Sequence, residues 1–586
     1  MSKKIPWILL LIVVIGTFTF IVWGAIRVNE QTIEEIEPAE EAKPAPFPIL
    51  HISSELDPFI QEREFWHDGT LTMTGSGLEL EEGEAGVADA VIRIRGRGNS
   101  TWRDGENKRP LRFRFEEAQS LLDLEYEATD WVLLADNFDR SLLRNYAALT
   151  FAESLGSMHF TPRRQHVQLY VNGEYMGLYL LTDERDVIPG RMELTWDADP
   201  ARSGFMIELD ARAPRTGEYD DTFVTVHGMH YDIRYPRRNS RRTPEHVAYV
   251  RAYLEHVSDA IRSRDFKAAM QLIDLETFID FYLVQELFKN PDIHSLSIFM
   301  YITGEEEERR LYMGPVWDFD IAAGNKRYQP LGSNPYYLFA AVANYWYRDL
   351  MQMPEFKEAV TLRWNEIRDV QIAGMIEHLR YVALRDQTEF ERNFERHPFS
   401  ESASFRMPRE IFAIRTWMGH VEHLLEWFEA RTAWLDDYFN GRLPEHDPMW
   451  TLVEYYISES PRQIVIYNTE GTYREARVHP ILLHDRTMVS LLEIVYLFDL
   501  RLHFDVLTRT YTLTREDLVI SYQERTDFLT INGEELRQPA PGILEISGIV
   551  YLPIYRFIEF LGYEANWLRG GSTLVIRPSI APIDPV

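Results

Sequence analysis

The chain has no cysteine among its 586 residues, which excludes disulfide staples, thiol nucleophiles and cysteine-ligated zinc. Positive charge is scarce as well: 61 Lys and Arg stand against 92 Asp and Glu, a formal net charge of -31. That balance opposes attraction to nucleic acid or anionic lipid, so no nucleic-acid partner is expected. The missing thiols are compatible with an exported protein that does not rely on oxidative folding. Hydrophobic residues make up 45% of the chain and aromatics 13%, ample for the two or three folded units that this length implies.

One long apolar run is present, Ile5 to Ile26, preceded by Lys3 and Lys4 and closed by Arg27. Its length suits a single membrane-spanning helix, and no Ala-x-Ala cleavage site follows, so residues 1–28 are expected to be a signal anchor. Lysines before the run and Glu30, Glu34, Glu35 and Glu37 after it put the bulk of the chain outside the cytoplasm by the positive-inside rule, a single-pass protein of the cell membrane. A cleaved signal peptide is the alternative. Residues 29–49, rich in Glu, Pro and Ala, read as a solvated linker.

From Leu50 to about residue 200 the chain is strand-rich. Apolar and basic side chains alternate in Val91-Ile-Arg-Ile-Arg95 and Leu111-Arg-Phe-Arg-Phe115, and Asn172-Gly173 between two such runs predicts a tight hairpin. One helix is expected near Asp139 to Leu155. From about 240 to 445 helical patterns dominate, at Glu245 to Ser263, Leu275 to Phe288, Pro354 to Arg368 and Pro408 to Phe439. Residues 446–586 form a third unit with a weak internal repeat, a strand, a helix and two strands, around Met488 to Leu513 and again around Ile549 to Ile576. No acid, base or metal constellation accompanies it, so it reads as an adhesion or spacer module.

The chemistry concentrates in one predicted hairpin. Strands Leu296 to Ile302 and Arg309 to Val316, joined by the loop Thr303 to Glu308, place Asp292 almost opposite Asp318. Asp318 and Asp320 are two apart, so in an extended strand both carboxylates point to one side, a donor pair suited to magnesium. Without Asp292, such a pair is more often a strand cap or an arginine partner. Arg93, Arg95, Arg97, Lys108, Arg109, Arg112 and Arg114 cluster in an otherwise acidic chain; one or two could reach phosphates, the rest forming ion pairs. Gly96 to Ser100 could turn closely over a phosphate, although an ordinary tight turn is the commoner meaning. His420, His423 and Glu426 share a helix face at metal-compatible spacing, but core or surface histidines are the expected reading.

With these residues in view, the chain resembles the spore coat protein H (CotH) kinase family. The resemblance is carried by Arg95-Gly-Arg-Gly-Asn-Ser-Thr-Trp102, Lys108 to Phe115, Trp131 to Asn145, Leu169 to Glu184, the Asp292 segment, Trp317-Asp-Phe-Asp320, and a closing helix with Arg431 and Trp434-Leu-Asp436. It implies an α+β, atypical two-lobed protein-kinase-like fold over residues 50–445. It implies transfer of the γ-phosphate of ATP, with Mg2+ or Mn2+, to Ser or Thr of Ser-rich surface or spore coat proteins. Asp292 then holds the catalytic aspartate position, and Asp318 the metal position with Asp320 as auxiliary ligand. Lys108 or Arg112 would meet phosphates, Glu184 would hold the lobe junction, and Tyr179 and Tyr312 would flank adenine. The sequence departs from the family pattern where asparagines commonly follow the catalytic aspartate. Leu296 and Ser297 stand there, and Ser297 is a shorter and poorer metal ligand. The departure keeps open a pseudokinase serving as a surface scaffold. A glycosyltransferase metal site at Asp318 and Asp320 is a further alternative, disfavoured because those enzymes open with alternating strands and helices. Residues 446–586 resemble the stalk domain related to the copper amine oxidase N-terminal domain, through Val550-Tyr-Leu-Pro553, Phe560-Leu-Gly562 and Ala565-Asn-Trp567.

Overall fold

A computed structural model describes residues 47–578 apart from 56–62, 64, 75–88, 99–100, 102–107, 123, 212–221, 226–228, 238–241, 327–332, 400–407, 444–462, 468–471, 477–479, 484–485, 506–507, 509, 517, 524–527, 538–543, 547–548 and 568–572. The expected anchor at 1–28 and nearly all of the linker lie outside the described residues. Among those described, no helix is long and apolar enough to cross a membrane. The linker gives way to the fold earlier than expected, because Phe47 is already buried against His166 and Phe390.

The strand-rich stretch closes on itself. β1 (Ile49–Ser54), β2 (His67–Thr74), β3 (Ala90–Gly96), β4 (Leu111–Gln119), β5 (Ala128–Leu134), β6 (Arg164–Val171) and β7 (Glu174–Asp183) form a barrel in the order β1-β2-β3-β4-β5-β7-β6. Pairing of β6 parallel to β1 removes both free edges. Ile92, Ile94, Leu111, Phe113 and Phe115 fill the interior, while the arginines between them face outward, as the period-two pattern dictates. Asn172 and Gly173, at φ 53° and 81°, make the two-residue turn between β6 and β7. Gly177 admits the helix Gln387–Arg396 against β7: a Cβ there would meet Asn393 Oδ1 at 2.8 Å.

A second sheet follows in the order β12-β11-β8-β10-β9, from β8 (Phe205–Leu209), β9 (Thr222–Val224), β10 (His230–Tyr235), β11 (Ile298–Thr303) and β12 (Arg310–Met313). Around it pack the helices Pro244–Arg262, Leu275–Phe288, Pro354–Ile367 and Trp417–Phe439. Three of these agree with the sequence reading to within a residue or two. The fourth is split, because Thr416 caps a new helix by accepting from Gly419 N, leaving Arg409–Ala413 separate. The early helix starts at Arg144 rather than Asp139. Asp139 instead accepts from the backbone amides of Ser141, Leu143 and Arg144, which holds residues 139–143 in a turn.

The carboxyl-terminal repeat is present in structure. Strand Arg486–Ser490, helix Leu491–Phe498 and strands Arg501–Asp505 and Thr510–Arg515 are matched by strand Ile549–Pro553, helix Ile554–Phe560 and strands Tyr563–Trp567 and Thr573–Pro578. The first strands of the two copies pair antiparallel, Val489 opposite Leu552, around a core of Ile494, Phe498, Phe557 and Ile576.

Buried histidines, His166 among them, make stability depend on pH. His166 is buried at the barrel wall with Nε2 hydrogen-bonded to Leu142 O at 3.0 Å, and burial, with a smaller push from Lys108, lowers it from 6.5 to about 4. The unfolded chain therefore binds this proton first, so its contribution is present above pH 6.5 and lost as pH falls toward 4. The loss is on the order of 3 kcal/mol. Denaturant titrations near pH 7 and near pH 4.5 should show a smaller loss for His166→Asn than for the natural chain; equal losses would remove His166 from the account.

Candidate functional site

β11 and β12 pair as an antiparallel hairpin, with Met300 opposite Met313 and Thr303 opposite Arg310. Both strands are shorter than expected. β11 starts at Ile298 because Ser297 adopts a left-handed φ of 53°, and β12 ends at Met313, beyond which residues 314–319 are irregular. Asp318 therefore does not continue a strand: its φ is 67°, so the argument that two-residue spacing aligns Asp318 with Asp320 does not apply. The charge of Asp318 still acts on the Asp320 carboxyl.

Asp292 lies in the 3-10 turn Pro291–His294, where Asn290 Oδ1 accepts from Asp292 N at 3.1 Å. Across the mouth of the hairpin, Ser297 Oγ lies 3.4 Å from Asp318 Oδ2. The Asp320 carboxyl is held well above the usual carboxylate range by burial and then by the negative charges of Asp318, Asp136, Asp292 and Asp139. Four carboxylates thus act on that of Asp320. Asp136, also left-handed at φ 46°, is raised to about 7 by burial and by Asp139.

A small polar frame fixes the group. Asn145 Nδ2 donates to Asp136 Oδ1 at 2.6 Å, and Asn145 Oδ1 accepts from Phe319 N at 2.7 Å. Its neighbour Arg144, fully buried, pairs with Asp139 at 2.5 Å and donates from Nε to Ala322 O at 3.0 Å and from Nη2 to Ala323 O at 3.1 Å. The start of one helix therefore clamps the loop carrying Asp318 and Asp320. Left-handed backbone at Asp136, Ser297, Asp318 and Ala323 is the kind of local strain that persists where surrounding contacts over-determine it.

A basic group borders the acidic one. Arg97 lies over the Trp317 ring at 5.7 Å and Arg185 over the same ring at 4.8 Å. Burial, and then Arg185, lower Arg97 to about 10, while Glu184 and Asp318 pull the other way. Burial opposes ionisation of Glu184, yet Arg185, Arg112, Arg97 and Arg234 outweigh it and hold its carboxyl below the usual range. Glu184 so lies between arginines at the barrel and the charge of Arg234 on β10 of the second sheet.

Beside these arginines, Phe160, Met192, Leu194, Met206, Phe299, Tyr301 and Trp317 form an apolar cluster of their own, with Leu134, Val187 and Tyr312 packed against it. Tyr312 stacks on Tyr301 with ring centroids 5.1 Å apart and meets His159 at a tilt at the same distance. Tyr179 is elsewhere: it is 1% exposed in the barrel core, its hydroxyl donating to Arg109 O, so its ring presents no face to a ligand. Lys108 is 3% exposed; it donates to Leu178 O, and burial lowers it to about 7 despite the attraction of Asp136 and Asp139. It faces the carboxylates from the barrel side. Arg112 pairs with Asp130 at 2.7 Å and Glu184 at 3.5 Å, a structural network on the barrel wall.

Asp136, Asp139, Asn145 and Arg185 were not singled out from sequence. The available signal was positional: two aspartates leave the end of β5 as Asp318 and Asp320 leave the end of β12. Among the described residues no three His, Asp or Glu side chains already enclose a metal point, and His420 is a buried core residue against Phe399, lowered by burial to about 3. The donor chemistry at Asp318 and Asp320 still suits a hard divalent cation, because magnesium takes one or two protein carboxylates and completes its shell with phosphate oxygens and water.

Comparison with known families agrees with the residues that carry the site. The family model described as CotH kinase protein matches residues 92–435, and that described as Copper amine oxidase N-terminal domain matches residues 468–576. No curated protein matches the chain. Since the first match spans more than half of its length and contains every carboxylate of the cluster, the chain belongs to the CotH kinase protein family.

Proposed function

We propose that this protein is an atypical kinase with a two-lobed, kinase-like catalytic region, anchored in the cell membrane, that transfers the γ-phosphate of ATP to Ser or Thr of Ser-rich surface or coat proteins. The observation that carries the reading is the loop of Asp318 and Asp320, held by Asn145 and Arg144, whose Asp320 carboxyl feels the charges of Asp318, Asp136 and Asp292, with Arg97 and Arg185 over the adjoining Trp317 ring. Asp318 and Asp320 are the metal carboxylates. A bound magnesium or manganese ion supplies neutralisation of phosphate charge. Arg97 and Arg185 hold phosphate oxygens, the half-buried Tyr312 flanks the adenine without Tyr179, and Asp292 orients the acceptor hydroxyl and takes its proton. Lys108 and Asn145 fix Asp136 and the loop of Asp318, positioning rather than touching substrate.

Ser297, standing where family members carry an amide, favours a second reading in which the fold is a surface scaffold with weakened or absent transfer. Nucleotide binding separates the two. A ligand bound only to the native state raises stability, by about 2.7 kcal/mol at a hundredfold excess over its dissociation constant. The melting temperature should rise with ATP plus magnesium and fall back when the metal is chelated; no rise at millimolar ATP with metal favours the scaffold.

A further inference from the structure

The outer wall of the barrel carries a concentration of positive charge that the proposed transfer does not use. Arg93 and Arg95 on β3 stand directly opposite Arg114 and Arg112 on β4. Like charges in cross-strand register are destabilising by themselves. All four guanidinium groups gather on Trp66, at 5.8, 4.9, 6.0 and 5.2 Å from its ring for Arg93, Arg95, Arg112 and Arg114. One carboxylate oxygen, Asp130 Oδ1, accepts from both Arg112 and Arg114, and Glu184 lies at 3.5 Å from Arg112. Among the described residues Asp130, Glu184 and Asp68, the last opposite Arg93 on β2, face these four arginines. Arg95 Nε is buried with no hydrogen-bond partner among the described residues. Burial, and then the charges of Arg112 and Arg114, weaken the ionisation of Arg95.

We infer that this wall binds phosphoserine on a polypeptide substrate. Guanidinium groups present paired donors that match phosphate oxygens, and clustered arginines are the usual device for recognising a phosphorylated segment. The wall leads to the proposed transfer site. Arg93, Arg95 and Arg97 alternate along one face of β3 and its continuation, and Arg97 reaches Trp317 and feels the charge of Asp318. Two strand repeats from Arg93 to Arg97 span about 13 Å. An extended peptide covers that distance in about four residues. A segment already phosphorylated once therefore presents another serine, about four residues away, to Asp292. The inference rests on the kinase reading for its consequence and on the arginine wall alone for binding.

The test uses the full chain carrying Asp318→Asn, so that no turnover occurs, and no nucleotide. A fluorescent serine-rich peptide with one phosphoserine should bind at least about tenfold tighter, a difference near 1.4 kcal/mol, than the same peptide unphosphorylated. Arg93→Gln with Arg114→Gln should abolish the preference while leaving the melting curve in place. Equal binding of the two peptides, a preference that survives the double substitution, or full competition by equimolar inorganic phosphate would each overturn the inference. With the natural chain, ATP and metal, a phosphoserine four residues from the acceptor should raise transfer over one placed ten residues away. Failure of all transfer with binding intact would count against the kinase reading and not against the wall.

Discussion

Asp318→Asn is expected to lower phosphate transfer by roughly a thousandfold while leaving the fold unchanged, because removing a metal carboxylate forfeits several kcal/mol of charge stabilisation in the transition state. Asparagine is the informative replacement. Asp318 sits at φ 67°, a conformation that asparagine tolerates and alanine does not, so alanine would mix backbone strain with loss of charge. Asp292→Asn should cost about a hundred- to ten-thousandfold in kcat, the range of a general base, with nucleotide stabilisation retained. The two variants thus separate: loss at Asp318 weakens nucleotide–metal binding as well as turnover, loss at Asp292 turnover alone. Transfer within tenfold of the natural chain in Asp318→Asn would exclude that carboxylate as a metal ligand.

The largest effect on stability is expected at Arg431. Both it and Glu286 are 0% exposed, and they pair at 2.6 Å between the helices Trp417–Phe439 and Leu275–Phe288. Arg431 also donates to the backbone carbonyls of Glu286, Pro335 and Tyr337, and Glu286 accepts from the amides of Phe339 and Ala341. Arg431→Met removes the guanidinium and leaves a buried carboxylate without its paired charge, at a cost of about 3–5 kcal/mol in denaturant unfolding. Arg431→Lys should recover little, since one ammonium group cannot replace a fork serving four acceptors. Adding Glu286→Leu to Arg431→Met should restore part of the loss but not all of it, because the amides of Phe339 and Ala341 then lose their acceptor. A cost below about 1 kcal/mol for Arg431→Met would mean that the pair contributes only as a surface bridge does.

Period-two alternation in β3 and β4, the Asn172-Gly173 turn, the buried helix Leu275–Phe288 and the carboxyl-terminal repeat were all legible, because each is dictated by side chains close in sequence. Closure of the barrel was not. It depends on β1 pairing with β6, more than a hundred residues apart, and no local pattern encodes that contact. The hairpin joining the segments of Asp292 and Asp318 was legible, although its strands are shorter than expected and the backbone at Ser297 and Asp318 is left-handed. Asp136 and Asp139 were missed for the same reason as the barrel: they reach the site through Arg144 and Asn145, whose contacts with residues 319–323 span nearly 180 residues. Tyr179 misled because an aromatic on a central strand reads the same whether it lines a ligand pocket or, as here, fills a core.

Transfer of label from γ-labelled ATP to a serine-rich peptide by the full chain, with magnesium or manganese, tests the proposed chemistry most directly. Label on serine that disappears on chelating the metal and in Asp318→Asn is the predicted result. An unlabelled peptide, or equal labelling by the natural chain and Asp318→Asn, would contradict it.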